Sequence, residues 1–183
     1  MADSVVIGKE ELLRKFRGMG EAVQGNNLGR VAMIGGWVIR DAARDNIKDQ
    51  GLIRTRTLSR SLDAEISEQS ATRAAVDIGT NLEYAAIHEF GGTIKPKQSR
   101  YLAIPTGDRT GSPLKYSDLK VRKTGKGNLV LVDGSGGVQY VLRASVEIPA
   151  RPYLRPALDE KGEEAKMEMG AAFRGIVTKA ATS

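Results

Sequence analysis

Three of the chain's six prolines fall within one short run, Ile148-Pro149-Ala150-Arg151-Pro152-Tyr153-Leu154-Arg155-Pro156-Ala157-Leu158. Each proline fixes its own φ and removes an amide donor, so a sheet cannot continue through this run. The segment reads as a rigid corner at which a strand ends and a helix starts, with Pro156 suited to the helix's first turn. Some sixty residues earlier stands Glu83-Tyr84-Ala85-Ala86-Ile87-His88-Glu89-Phe90-Gly91-Gly92. Here Tyr84, Ile87 and Phe90 recur at helical spacing, and the glycine pair stops the helix by taking backbone angles that other residues avoid.

These two segments, in this order and at this separation, resemble the neck and tail-completion proteins of long-tailed bacteriophages, a family also described as tail-component or virion-morphogenesis proteins. A third stretch, Thr55-Arg56-Thr57-Leu58-Ser59-Arg60-Ser61-Leu62, is similar to the family's Thr-Gly-x-Leu-x-x-Ser-Ile, with Arg56 where glycine is usual. The resemblance covers most of the chain. Its motif residues here are Tyr84, Ala85, His88, Glu89, Phe90, Gly91 and Gly92, then Pro149, Arg151, Pro152, Tyr153, Leu154 and Pro156.

At 183 residues the chain has the length of one domain able to bury a real core. Hydrophobic residues at 40% and charged residues at 27% are ordinary for a globular protein, while aromatics at 5% predict an aliphatic core. The absence of cysteine removes disulfides and thiolate metal sites and fits assembly in a reducing compartment. No apolar run reaches the length of a membrane span, and Met1-Ala2-Asp3-Ser4 lacks the basic start of a signal peptide.

Along the chain, Leu12, Leu13 and Phe16 predict a first helix over residues 9–23, with Glu10 and Glu11 in its first turn. A longer helix is expected over 28–49 from Leu28, Val31, Ile34, Val38, Ala42 and Ile47, in which Gly35-Gly36 either kinks the helix or admits a close neighbour. Trp37 on this helix reads as core or subunit contact. A polar loop over 51–57 leads to two strands, marked by Leu62, Ala64 and Ile66 and by Ala74, Val76 and Ile78. Tyr101-Leu102-Ala103-Ile104-Pro105 has an edge-strand pattern, and residues 106–128 form an exposed loop. Residues 129–132 and 138–142 flank a glycine cluster as a hairpin, 144–148 extend the sheet, and a last helix spans about 154–178. The expected fold class is α+β in a single domain, 1–183. Its small antiparallel or mixed sheet is packed by the long N-terminal-half helix and the C-terminal helix, with a protruding loop.

Catalytic chemistry finds little support. His88 is the only histidine, so His88-Glu89 cannot supply a two-histidine zinc motif, and no nucleophile elbow accompanies it. Lys123-Thr124-Gly125-Lys126-Gly127-Asn128 lacks the ending of a phosphate loop, and Gly134-Ser135-Gly136-Gly137 lacks dinucleotide spacing. No catalytic, metal or cofactor site is assigned.

The net charge of +6 and pI near 9.6 would attract polyanions, although the basic residues are scattered without interleaved aromatics. Arg54, Arg56, Arg60, Lys120, Arg122, Lys123 and Lys126 are the candidates for contacts to acidic partners or to passing genomic DNA. The resemblance implies a virion protein of the head-tail junction, assembled in the host cytoplasm as a homo-oligomeric, hexameric ring that completes the tail top and joins it to the head connector. Its implied partners are other neck proteins, the tail terminator, the tail tube or the tape measure, with no membrane. A head-closure or adaptor component, and a basic nucleic-acid-binding protein, are the alternatives.

Overall fold

A computed structural model describes residues 9–24, 26–52 and 56–182. The chain divides into two compact units, one made of Met1–Glu89 with Arg151–Ser183 and the other of Phe90–Ala150. The architecture is α+β, with helices and small antiparallel sheets.

The first unit is built around α2 (Asn26–Asp49), which follows α1 (Lys9–Ala22). After α2 come α3 (Thr57–Ser61), β1 (Asp63–Gln69), β2 (Ala74–Gly79) and α4 (Ala85–Phe90), and α5 (Leu154–Thr182) closes the chain. β1 and β2 pair antiparallel with Ala64 opposite Ile78 and Ile66 opposite Val76, so the apolar residues of the alternating pattern share one face. The core gathers Ile39, Ala43 and Ile47 of α2 with Leu58, Leu62, Ala85, Tyr153, Ala157 and Ala165.

Close approach explains the glycine pair of α2. A Cβ on Gly36 would lie 2.7 Å from Val76 Cγ1 and 3.3 Å from Ala64 Cβ, while one on Gly35 would strike the Met169 thioether of α5. The helix therefore meets the sheet through one glycine and α5 through the next.

Several expectations are corrected in this unit. Of the two places expected for Trp37, the core is ruled out by its 45% exposure, while the first helix forms as expected with Leu12, Leu13 and Phe16 each about half exposed. Between the loop expected over 51–57 and β1 stands the short helix α3, to which the sequence reading gave no element, and its Leu58 is buried in the core with α2. The last helix runs beyond 178 to Thr182, carried by Lys179, Ala180 and Ala181, which favour helix.

In the second unit β4 (Leu102–Pro105), β5 (Lys120–Lys123), β6 (Leu129–Val132) and β7 (Val138–Arg143) form an antiparallel sheet of order β4-β7-β6-β5. This sheet buries Val130, Val132 and Tyr140. A separate two-stranded sheet joins β3 (Gly92–Ile94) to β8 (Val146–Ile148). Residues 106–128, expected as a loop, instead fold. They hold a 3-10 turn at Pro113–Lys115, the strand β5, and an Arg109–Asp118 fork of 2.5 and 2.6 Å. The Arg109 guanidinium also lies 4.7 Å from the centroid of the Tyr116 ring.

The expected hairpin is present between β6 and β7, and Asp133 organises its turn. Its carboxylate accepts from the Ser135 amide at 2.9 Å, the Ser135 hydroxyl at 2.6 Å, the Gly137 amide at 2.9 Å and Gln139 Nε2 at 2.6 Å. The Ser135 hydroxyl and Gln139 amide, then the Gly137 amide, hold this carboxyl down from 3.8 to about 2.

Because the folded-state value of Asp133 is depressed, its contribution to stability is full above pH about 4 and is lost as pH falls toward about 2. Protection of the Ser135 and Gly137 amides from exchange, relative to the intrinsic rate at each pH, is expected to fall across that window in the native protein and to be low throughout in Asp133→Ala. In α2, Gly36→Ala is expected to lose about 1–2 kcal/mol against the stiff Val76 side chain. Gly35→Ala, facing a flexible thioether, is expected to stay within about 1 kcal/mol, since alanine favours helix. Urea midpoints of the two variants measure the contrast.

Candidate functional site

The first turn of α5 begins at a proline-fixed corner, and the backbone donors of a helix's first turn have no carbonyl partner within the helix. Pro156 removes one of these donors covalently. The remaining three belong to Tyr153, Leu154 and Arg155, and all three bond to one side chain. Glu89 Oε2 accepts from the Tyr153 amide at 2.7 Å and the Leu154 amide at 3.0 Å, and Oε1 accepts from the Arg155 amide at 3.0 Å. Glu89 is only 8% exposed, and it is the buried charged residue among the described residues. Its charge is matched by three charge-assisted hydrogen bonds and by the positive end of the α5 dipole.

Backbone and amide contacts complete the corner. The Arg151 amide donates to the His88 carbonyl at 2.7 Å. Asn46 Nδ2 of α2 donates to the Tyr153 carbonyl at 3.0 Å, and Gln50 Nε2, in the turn just after α2, donates to the Pro152 carbonyl at 2.6 Å. Burial, then the charge of Glu89 and the nearby Tyr84, push the Tyr153 hydroxyl above its ordinary 10.0.

The two sequence segments thus meet, but through a face other than the expected one. Phe90 is 78% exposed and Tyr84 42%, so the stripe of Tyr84, Ile87 and Phe90 is not the buried side of α4. Ala85 and Glu89, one turn apart, are buried in its place. Glu89 is the residue whose role the sequence reading missed. No local signal marks that role, since the amides that Glu89 caps lie more than sixty residues further along the chain.

Gly91 has φ +69, and a Cβ there would lie 2.7 Å from the Ala150 amide nitrogen, so glycine is required on both conformational and steric grounds. Gly92 has φ +142 and opens β3. Pro149 lies in the second unit, whereas Arg151, Pro152, Tyr153, Leu154 and Pro156 lie in the first.

The third stretch joins the same neighbourhood. Arg56, Thr57 and Leu58 line a cavity of about 490 Å³ together with Gly51, Leu52, Tyr84 and His88, and the Tyr84 ring meets the His88 ring edge-on at 6.0 Å. Arg56 has φ +59, the one left-handed non-glycine residue among those described. The glycine usual at this place suits that geometry, and Arg56 adopts it with strain.

Among the basic candidates, Arg56 and Arg60 are exposed in the first unit. Lys120, Arg122 and Lys123 form the exposed strand β5 and Lys126 its following turn, all in the second unit. Arg54 lies outside the described residues. Among the described residues no group of three or more metal-binding side chains is placed to hold an ion.

Removal of the Glu89 carboxylate should leave three amide donors unpaired. Glu89→Ala is expected to cost about 3 kcal/mol or more. Glu89→Gln, which presents an NH2 group to donors, is expected to recover only part of that. Denaturant unfolding followed by far-ultraviolet circular dichroism checks both; an unchanged midpoint in Glu89→Ala would sink the capping role.

The family model of phage virion morphogenesis proteins matches residues 36–171, from within α2 to within α5 and across all three stretches described above. No curated protein and no solved structure matches the chain. On a match that takes in most of its length, the chain belongs to the phage virion morphogenesis family.

Proposed function

We propose that this chain is a structural protein of the head-tail junction, forming a ring that completes the top of the tail and joins it to the head connector. Membership of a phage virion morphogenesis family supports a structural role in the particle. The observation that carries the finer reading is the capped corner. Glu89, Pro156 and the side-chain amides of Asn46 and Gln50 fix the points at which the chain leaves the first unit and returns to it, which is the rigidity a ring subunit needs to present two different patches to its neighbours. The work is interface complementarity, with no covalent step.

One observation favours a second reading, contact with a polyanion. Phe90–Ala150 holds ten Lys and Arg against four Asp and Glu, whereas the rest of the chain holds eighteen of each, so the whole +6 resides in the second unit. Such a unit would bind DNA in a salt-dependent way.

A cryo-electron reconstruction of the particle decides between them. Sixfold density for this chain at the neck is the expected outcome. Absence of the chain from every particle, together with salt-sensitive retention of DNA fragments, would replace the ring with the polyanion reading.

A further inference from the structure

One open strand edge in each unit matches the other in chemistry. β2 pairs with β1 on one side, and among the described residues no strand pairs on its other side. Beside that edge lies a groove of about 490 Å³ lined by Ile39, Val76, Asp77, Ile78, Leu154 and Leu158, with Leu158 56% exposed. β1 offers less, since the Ala64 amide already donates to Asp63 and the Leu62 carbonyl accepts from Arg44. In the second unit β5 is one of the two edges of its sheet, and every residue of it is exposed, Val121 at 63%.

The alternation of the two strands is complementary. β2 reads Val76-Asp77-Ile78, with the apolar pair on the groove side and Asp77 on the opposite face, where Glu65 stands directly across from it. Two carboxylates facing each other across a ladder are unfavourable. β5 reads Lys120-Val121-Arg122, with one apolar residue between two cations. Laid beside β2, it would place Val121 over the groove and Lys120 and Arg122 on the carboxylate face, while the backbone groups of both edges pair.

We infer that β5 of one copy adds to the open edge of β2 in a second copy. Self-pairing of either edge is disfavoured by charge, because β5 against β5 sets cations opposite cations and β2 against β2 brings Asp77 toward its own equivalent. The contact is therefore heterologous, the kind that generates rings. It rests on the ring proposed above and names the surfaces that would close it.

The chain has no cysteine, so engineered pairs report this contact alone. Full-length Asp77→Cys is mixed with full-length Lys120→Cys or Arg122→Cys and mildly oxidised, both in solution and in assembled particles. A disulfide-linked mixed dimer from at least one pair is expected, because cross-strand neighbours lie within disulfide reach. Each single variant alone should remain unlinked, and a chain carrying both substitutions should give a ladder of multimers. Lys120→Glu with Arg122→Glu should lower incorporation into particles at least about tenfold, the order of effect of losing one to two kcal/mol of contact, and Glu65→Lys with Asp77→Lys should restore it.

A neck ring in which neither pair links would overturn the strand contact and leave the ring intact. Linkage of the Asp77→Cys variant to a different virion protein would also overturn it, assigning the groove to that partner. Mixed dimers from a chain absent from the neck would keep the contact and remove the head-tail role.

Discussion

A carboxylate inside a protein is tolerated only where its charge is answered, and the Glu89 carboxylate is answered by the amides of Tyr153, Leu154 and Arg155. Each partner removes the other's penalty. The amides would otherwise be the orphan donors of a helix start, and the carboxylate would otherwise be an unpaired charge at 8% exposure. Because the donors sit at the head of the 29-residue α5 and the acceptor sits on α4, this one exchange fixes where the longest helix begins. The core beneath it, with Tyr153, Ala157 and Ala165 against Ile39, Ala43 and Ile47, depends on that starting point.

The sequence made much of this corner legible because prolines and glycines act locally. Pro152 and Pro156 delimit the start of α5, and Gly91 at φ +69 is a position that only glycine occupies comfortably. The α+β class and the β6–β7 hairpin also follow from local periodicity and turn chemistry. What was illegible is long-range. The stripe of Tyr84, Ile87 and Phe90 has good helical spacing, yet the burial of Glu89 depends on amides more than sixty residues away, and spacing carries no record of them. The folding of residues 106–128 was hidden for a similar reason. A polar, glycine-rich composition reads as loop, while the Arg109–Asp118 fork and the pairing of Lys120–Lys123 with Leu129–Val132 order it.

Charge and shape are divided between the units. The first unit is electrically balanced and holds the larger apolar core, and the second carries the entire net charge and buries Val130, Val132 and Tyr140. Net charge and the larger apolar core thus fall in different parts of the sequence. Substitutions that retune the surface of Phe90–Ala150 need not disturb Ile47 or Leu62, which are fully buried in the other unit.

The hydrogen bond between the Arg151 amide and the His88 carbonyl brings the departing and returning stretches of the chain into direct contact at the border of the first unit. The intervening polypeptide is thus an excursion whose two ends are joined by this bond. Lengthening such an excursion is cheap, since each doubling costs about 0.6 kcal/mol of closure entropy. A change in the length of the excursion therefore leaves this bond, and the helix that begins just beyond it, unchanged.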